Sequence, residues 1–508
     1  MTARDLGDGA VLTRRGLFRA APAAALAVGA LALAPEEAEG AVKVDAALHL
    51  LRRATFGPTP ALLAEVKRTG LDDWLDAQLR PSTVDDSVTD AYLTRFTTLG
   101  LSPAEVRARF KSGAWDVMYE VLGSHMSRAL FSRRQVYEVA VDFWTNHFVV
   151  PVPSTEVWDC AHLFVRDVIR KHALGRFADM LVACATSSCM LIVLNNKDST
   201  KASPNENYGR ELLELHTVGV DTFTETDVKQ SALILTGLGT TRGKEYEYHP
   251  RDHHVGPVRV LGFSHPNRSA DGEQVAVAYL TYLARHPATA RRLATKLCVR
   301  FVSDMPPPGL VERLAQVYLD ADTAVAPVLK ALFTSREFAA SVDQKVRTPY
   351  EDVLATMRAL RSTPDKRGTA SGKELRYKAR GVGQAPMNWP APNGYPDVAA
   401  AWSGSSSMLA RWNFHLSAAG GGALKTLTRP SLVKLLGLAE PPSTYGAVVD
   451  KAAAALLVPG LTKDQRTAIC AFFGHSPSAR LRKNDALIRH NLPKLTAALL
   501  DTPNFFLR

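Results

Sequence analysis

Beyond the first 44 positions, apolar side chains recur at three- and four-residue intervals through most of the chain. Residues 59–70, 115–130, 135–148 and 275–285 carry the clearest stripes, each wide enough to give a helix one buried face. Period-two alternation is scarce. It is confined to residues 245–248 and 258–263, which flank a polar turn and are expected to pair as one short β-hairpin. The pattern predicts a mainly α protein, built as a large multi-helix domain.

Pro- and Gly-rich stretches interrupt the helices at residues 305–309, 362–372, 383–396 and 439–443. The first break separates an N-terminal helical part, residues 41–305, which holds the candidate site, from a C-terminal helical part, residues 306–508. The two are expected to pack as one unit. Residues 381–397 (GVGQAPMNWPAPNGYPD) have too much Pro, Gly and aromatic content for a regular element and too many apolar groups for a solvated linker. An ordered loop lying on the helical body is expected there.

Residues 1–40 read differently. Thr13, Arg14, Arg15, Gly16, Leu17, Phe18 and Arg19 precede an uncharged, Ala-rich run at residues 20–34. This is the arrangement of a twin-arginine signal peptide, with Leu17 and Phe18 exchanged relative to the usual order. The triplet Ala38, Glu39, Gly40 places the mature start at Ala41; retention as an uncleaved anchor is the alternative. No later window approaches the roughly 20 apolar residues of a membrane helix. The mature chain is therefore expected to be exported through the twin-arginine pathway, to lack a transmembrane segment and to reside outside the cell or in its envelope.

Composition adds two constraints. The 508 residues carry 61 basic and 50 acidic side chains, a net +11, and residues 1–40 hold four basic and five acidic ones, so the remainder is +12. That balance favours anionic partners such as wall polymer. Without a long basic run or zinc-finger spacing, no nucleic acid is expected. The five cysteines are odd in number and none are spaced as CxxC, so at least one stays outside any disulfide framework and a Cys-rich metal site is not expected.

The densest polar motif is SPNENYGRELLELHTVG, residues 203–219. Ser203, Pro204 and Glu206 spell a capping box, and Glu206, Arg210 and Glu214 form an i, i+4, i+8 stripe with Asn207 and Glu211 beside it. His216 follows Glu211 by five residues, which is not the spacing of HExxH. A metal would have to collect Glu211 together with histidines of other helices. In DFWTNHF, residues 142–148, His147 shares a face with Phe143 and Trp144. It reads either as a hydrogen-bonded core histidine or as a ligand or proton-transfer group, with Asp142 or Asn146 orienting a second group.

RDHHVGPVRVLG, residues 251–262, carries His253 and His254 on a turn, of which at most one serves a shared site. Pro287 opens a helix whose Arg292, Lys296 and Arg300 recur every four residues, as ion pairs to the 206 helix or as an anion receptor. No GxSxG, GxxxxGK[ST] or post-strand GxGxxG is present, so serine-hydrolase, phosphate-loop and Rossmann readings lack support.

Taken in order, HLLRRATFGPTP (residues 49–60), FWTNHF, NENYGRELLELHTVG, HHVGPVRVLG, HPATARRLATKLCVRFV and GQAPMNWPAPNGYPD resemble the domain-of-unknown-function 1800 family, from about residue 45 to the C-terminus. The resemblance implies a bacterial, exported, mainly helical protein. It also implies a partner, since such proteins are often encoded beside a second exported family similar to the alkaline phosphatase and sulfatase superfamily. It implies no reaction. Where relatives often read His-Asp in the turn, this chain has His253 and His254, which puts an acidic role at the second position in doubt.

Two functions fit these residues. The first is an extracytoplasmic metal- or cofactor-dependent enzyme with His147, Glu211, His216 and Arg210 as catalytic residues and His147, Glu211, His216 and His253 as metal ligands. The sequence names no cofactor beyond a metal ion as candidate. The second is a non-catalytic cell-envelope adaptor or binding protein for anionic polymer or a co-exported partner, in which the same motifs are ion-pair and capping networks.

Overall fold

Several helices begin at a side-chain cap that the sequence supplies. Thr59 caps the helix Pro60–Thr69 through its hydroxyl, with proline in the first turn where a missing N–H costs nothing. The computed structural model describes residues 45–508 apart from Ser112, Lys366 and Arg367. The expected signal peptide and the mature start at Ala41 lie outside the described residues. The architecture is mainly α, with 57% helix and two small antiparallel strand pairs.

The helices that position the site are α1 (Ala46–Ala54), α2 (Trp115–Phe131), α3 (Gln135–His147), α4 (Glu206–Glu211), α5 (Pro287–Phe301), α6 (Pro349–Ala359), α7 (Ala370–Gly381) and α8 (Ser405–Gly420). Residues Val44–Arg508 form one compact unit. The segment containing α1 shows how the two parts of the chain are joined. His49 Nε2 lies 2.8 Å from the Phe338 carbonyl, and Arg52 pairs with Asp343 at 2.9 Å and donates to the Asn504 carbonyl at 2.6 Å. Arg53 Nη1 donates to the Phe301 and Val302 carbonyls, both at 2.8 Å, and so closes the C-terminal end of α5.

The strands differ from expectation. β1 (Leu238–Thr240) pairs with β2 (Tyr246–Tyr248), and β3 (Val258–Val260) pairs with β4 (Phe263–His265). Residues 245–248 and 258–263 therefore do not form one hairpin with each other. The nearer partner wins in each case. Leu261 and Gly262 both have positive φ, 49° and 92°, which gives β3 and β4 a two-residue turn matched to strand twist. The chain between β2 and β3 is instead drawn into the body, where Lys201 N–H donates to the Asp252 carbonyl at 2.7 Å.

α2 and α7 touch backbone to backbone. A Cβ added at Gly372 would lie 2.5 Å from the Gly123 carbonyl oxygen and 2.7 Å from its Cα. In a helix, glycine to alanine normally gains about 0.5–1 kcal/mol. Here Gly372→Ala should instead destabilise, by about 1–3 kcal/mol, because neither helix can withdraw without opening the core. A urea titration in which the variant matched or exceeded the parent would show the contact to be loose.

The Pro/Gly-rich segment, residues 381–397, is an ordered loop packed on the body. Ala385 and Met387 are buried, and the Val152 N–H donates to the Met387 carbonyl at 2.8 Å. Asn146 grips Tyr395 from both sides: its Nδ2 donates to the Tyr395 carbonyl at 2.9 Å and its Oδ1 accepts from the Tyr395 N–H at 2.7 Å.

Candidate functional site

α4 starts two residues later than the Ser203 capping box implies. Asn205 is the cap: its Oδ1 accepts from the Tyr208 N–H at 3.2 Å while its Nδ2 donates to the Leu194 carbonyl at 2.6 Å. Its carboxamide serves both partners at once, which a serine hydroxyl at 203 is not placed to do. Glu206 is consequently the first helical residue and not the third. At Leu212 the helix widens into a π-segment, Leu212–His216. A π-turn joins residues five apart. The Glu206, Arg210, Glu214 stripe is therefore broken after Glu211, and His216 turns inward.

His216 and His147 meet there. Their ring centroids are 6.3 Å apart, and His147 Nε2 donates to the His216 carbonyl at 3.2 Å. His147 Nδ1 then accepts from Lys296 Nζ at 2.9 Å. Phe148 packs against both rings, and Phe177, Phe143 and Trp144 close on His147. Burial, with Lys296 beside it, holds His147 well below the usual imidazole range, and the same causes with Arg292 push His216 down to about 3. Burial and Arg292 also push Lys296 down to about 8, although Asp397 opposes this. Arg292 donates to the Leu215 carbonyl at 3.2 Å. Two neutral imidazoles facing two cationic groups make a poor seat for a metal ion.

The remaining expected residues stand elsewhere. Glu211 is half-buried, and burial with Glu214 alongside lifts its carboxyl above the usual range against the pull of Arg210. Arg210 is engaged by Glu225 in a two-pronged pair at 3.0 and 2.5 Å. His253 is fully buried, with Nδ1 2.8 Å from the Thr236 carbonyl and Nε2 2.9 Å from Asn267 Oδ1. Among the described residues, no three His, Cys, Asp or Glu side chains are grouped to hold a metal ion. Of the expected set His147, Glu211, His216 and His253, the fold brings His147 and His216 together and leaves Glu211 and His253 apart from them.

The other face of α3 lines a cleft. Asp142, Asn146 and Phe143 from α3, Arg300 from α5, Tyr350 from α6, and Gln384, Trp389, Tyr395 and Asp397 from the loop surround about 30 Å³. That space takes a water molecule or the tip of a ligand. Arg300 is its anchor: Nη1 pairs with Asp397 at 3.0 Å, and Nη2 pairs with Glu351 at 2.9 Å and Asp142 at 3.4 Å. Arg508 pairs with the same Glu351 oxygen at 2.8 Å. Burial works against the Glu351 charge, but Arg300 and Arg508 outweigh it and bring its carboxyl down to about 2. Tyr350 is 2% exposed and its hydroxyl has no hydrogen-bond partner among the described residues. Burial, reinforced by Asp142 and Glu138, keeps that hydroxyl neutral well beyond its usual range.

Sequence alone places Arg300 in a stripe and Asp142 beside His147 and does not single out Tyr350 or Glu351. A signal was present. Thr348, Pro349 and Glu351 form a capping box that fixes the start of α6, and Tyr350 lies inside it. What the sequence does not show is that this helix start faces α5.

A sequence model of the family described as protein of unknown function (DUF1800) matches residues 49–507. No curated protein and no solved structure matches the chain.

Proposed function

The chain belongs to the DUF1800 family, a family without an assigned reaction, and on that premise we propose from its own residues that it is an exported cell-envelope enzyme whose centre is the cleft over Asp142, Tyr350 and Asp397. The observation that carries the reading is the Tyr350 hydroxyl, buried and without a partner among the described residues, beside two carboxylates tied to one arginine. An unpaired buried hydroxyl costs about 1–3 kcal/mol, and a ligand atom entering the cleft would recover it. Neutral Tyr350 would donate to an oxygen gaining negative charge, while Asp142 or Asp397 accepts a proton. Trp389, Tyr395 and Phe143 would cover the apolar side of the substrate.

In this reading His147 and Lys296 are positioning residues, since their contact ties α3 to α5 and sets Asp142 opposite Arg300. Export rests on residues 13–34; among the described residues no helix is long and apolar enough to cross a membrane. Elemental analysis and an absorption spectrum of the exported protein separate a cofactor-free acid–base site, the form these residues support, from a cofactor-dependent one.

Tyr350→Phe tests the proposal with both signs. Removing an unpaired buried hydroxyl should keep or raise thermal stability. The same change should remove most of the turnover of anionic wall-polymer fragments, the substrate class that the basic charge and the expected export favour, followed by mass spectrometry of the products. A variant as active as the parent would sink the reading.

A second reading, an adaptor for anionic polymer or a co-exported partner, is favoured by a different observation. Leu409, Trp412 and Leu416 stand 58%, 43% and 47% exposed along α8 at helical spacing. Salt titration of polymer binding, steep for a charge-driven adaptor, and Leu409→Glu in a pull-down of the co-encoded partner distinguish the two.

A further inference from the structure

The five cysteines are all buried, and two of them face each other. Cys160 immediately precedes the short helix Ala161–Leu163, and Cys189 is the second residue of the helix Ser188–Val193. The Sγ atoms of Cys160 and Cys189 lie 2.9 Å apart, in side chains 0% and 1% exposed. The other three are scattered. Cys184 sits near Tyr208, Cys298 near Glu337 and Arg313, and Cys470 near Arg466 and Asp450.

We propose that Cys160 and Cys189 are joined by an intramolecular disulfide in the exported protein, leaving Cys184, Cys298 and Cys470 as thiols. This accounts for the odd count: one bridge closes a loop between the two helix starts, and no other cysteine has a sulfur within reach. The reaction is a two-electron exchange with a disulfide reagent, RSSR, of an oxidising compartment. One cysteine thiolate attacks RSSR, forming a mixed disulfide and releasing RS⁻. The second thiolate attacks the protein sulfur of that mixed disulfide, forming the Cys160–Cys189 bond and releasing the other RS⁻. The two thiol protons pass to the two RS⁻ groups, so two cysteines are oxidised and one RSSR is reduced to two RSH.

The surroundings set the rate. Both sulfurs are shut off from solvent, in side chains 0% and 1% exposed. Burial raises the Cys189 thiol well above its ordinary range, so few thiolates form in the closed protein. The bridge should form while the segment is open and then resist reductants.

The proposal rests on the export in the reading above but not on the cleft over Tyr350, and it is tested on protein purified from the envelope fraction without reductant. Free thiols are blocked at lysis, and the chain is digested and mapped by mass spectrometry. The expected map has one linked peptide pair, Cys160 with Cys189, and three blocked cysteines. Five blocked cysteines, or a link between any other two, would overturn it. As a second measurement, reductant in mild denaturant should lower the melting temperature of the parent and leave a Cys160→Ala, Cys189→Ala protein unchanged. Should that variant not fold, the peptide map of the parent decides alone.

Discussion

Arg300→Met should destabilise the protein by about 3–5 kcal/mol, the cost of stripping a buried cluster of its cation. Arg300 is 3% exposed and holds Asp142, Glu351 and Asp397 around one guanidinium. Arg508 shares Glu351 but has no pair with Asp142 or Asp397, so it cannot replace the anchor. Arg300→Lys should fall between parent and methionine, because an ammonium keeps the charge and loses the fork that reaches several carboxylates.

The methionine variant also has a pH signature. Arg300 is the first of the two arginines that hold the Glu351 carboxyl down against burial. A lowered folded pKa contributes stability that is present above the unfolded value and lost as pH falls, so the deficit of the variant should be largest near neutrality and shrink below the ordinary carboxylate range. Chemical denaturation of parent and variant across pH reads this directly; a deficit that stayed flat with pH would show that the cost is packing and not charge.

The second large effect is at His415 in α8. Nδ1 lies 2.7 Å from Asp501 and Nε2 3.1 Å from Asp352, and both acceptors are carboxylate oxygens, so both ring nitrogens donate and the ring carries a charge. Burial opposes that charge, but Asp352 and Asp501 overcome it and raise His415 from 6.5 to about 9. The stability this supplies, about 3 kcal/mol at the usual conversion, is complete below the unfolded value of 6.5 and disappears as pH rises through 9. The difference between parent and His415→Gln should therefore be largest near pH 6 and close by about pH 10. A difference independent of pH would mean that the ring is neutral in the fold. On the acid side, Asp352 and Glu351, both brought down to about 2, give stability that is lost as pH falls below their unfolded values toward 2.

Helices were legible because their signals are local. The stripe at residues 135–148 became α3, and Pro287 opened α5 as its position implied. The loop at residues 381–397 was legible from composition for the same reason. Pairings between distant segments were not. Nothing in the Arg292, Lys296, Arg300 stripe says that its partners are a backbone carbonyl at Leu215, His147 and a trio of carboxylates from three other segments. His147 was recognised as sitting on an aromatic face, but the lysine that occupies its second nitrogen lies 149 residues away. Strand pairing failed for a smaller reason: two short alternating runs looked like partners, and each had a closer one across its own turn.

The widened turn at Leu212–His216 makes residue count, and not residue identity, the thing that aims His216. A π-turn is one residue longer than the α-turn it replaces, so deleting a single leucine there could leave every motif readable while swinging the histidine about 100° around the axis. The direction in which His216 points therefore depends on the length of this five-residue stretch as well as on its sequence.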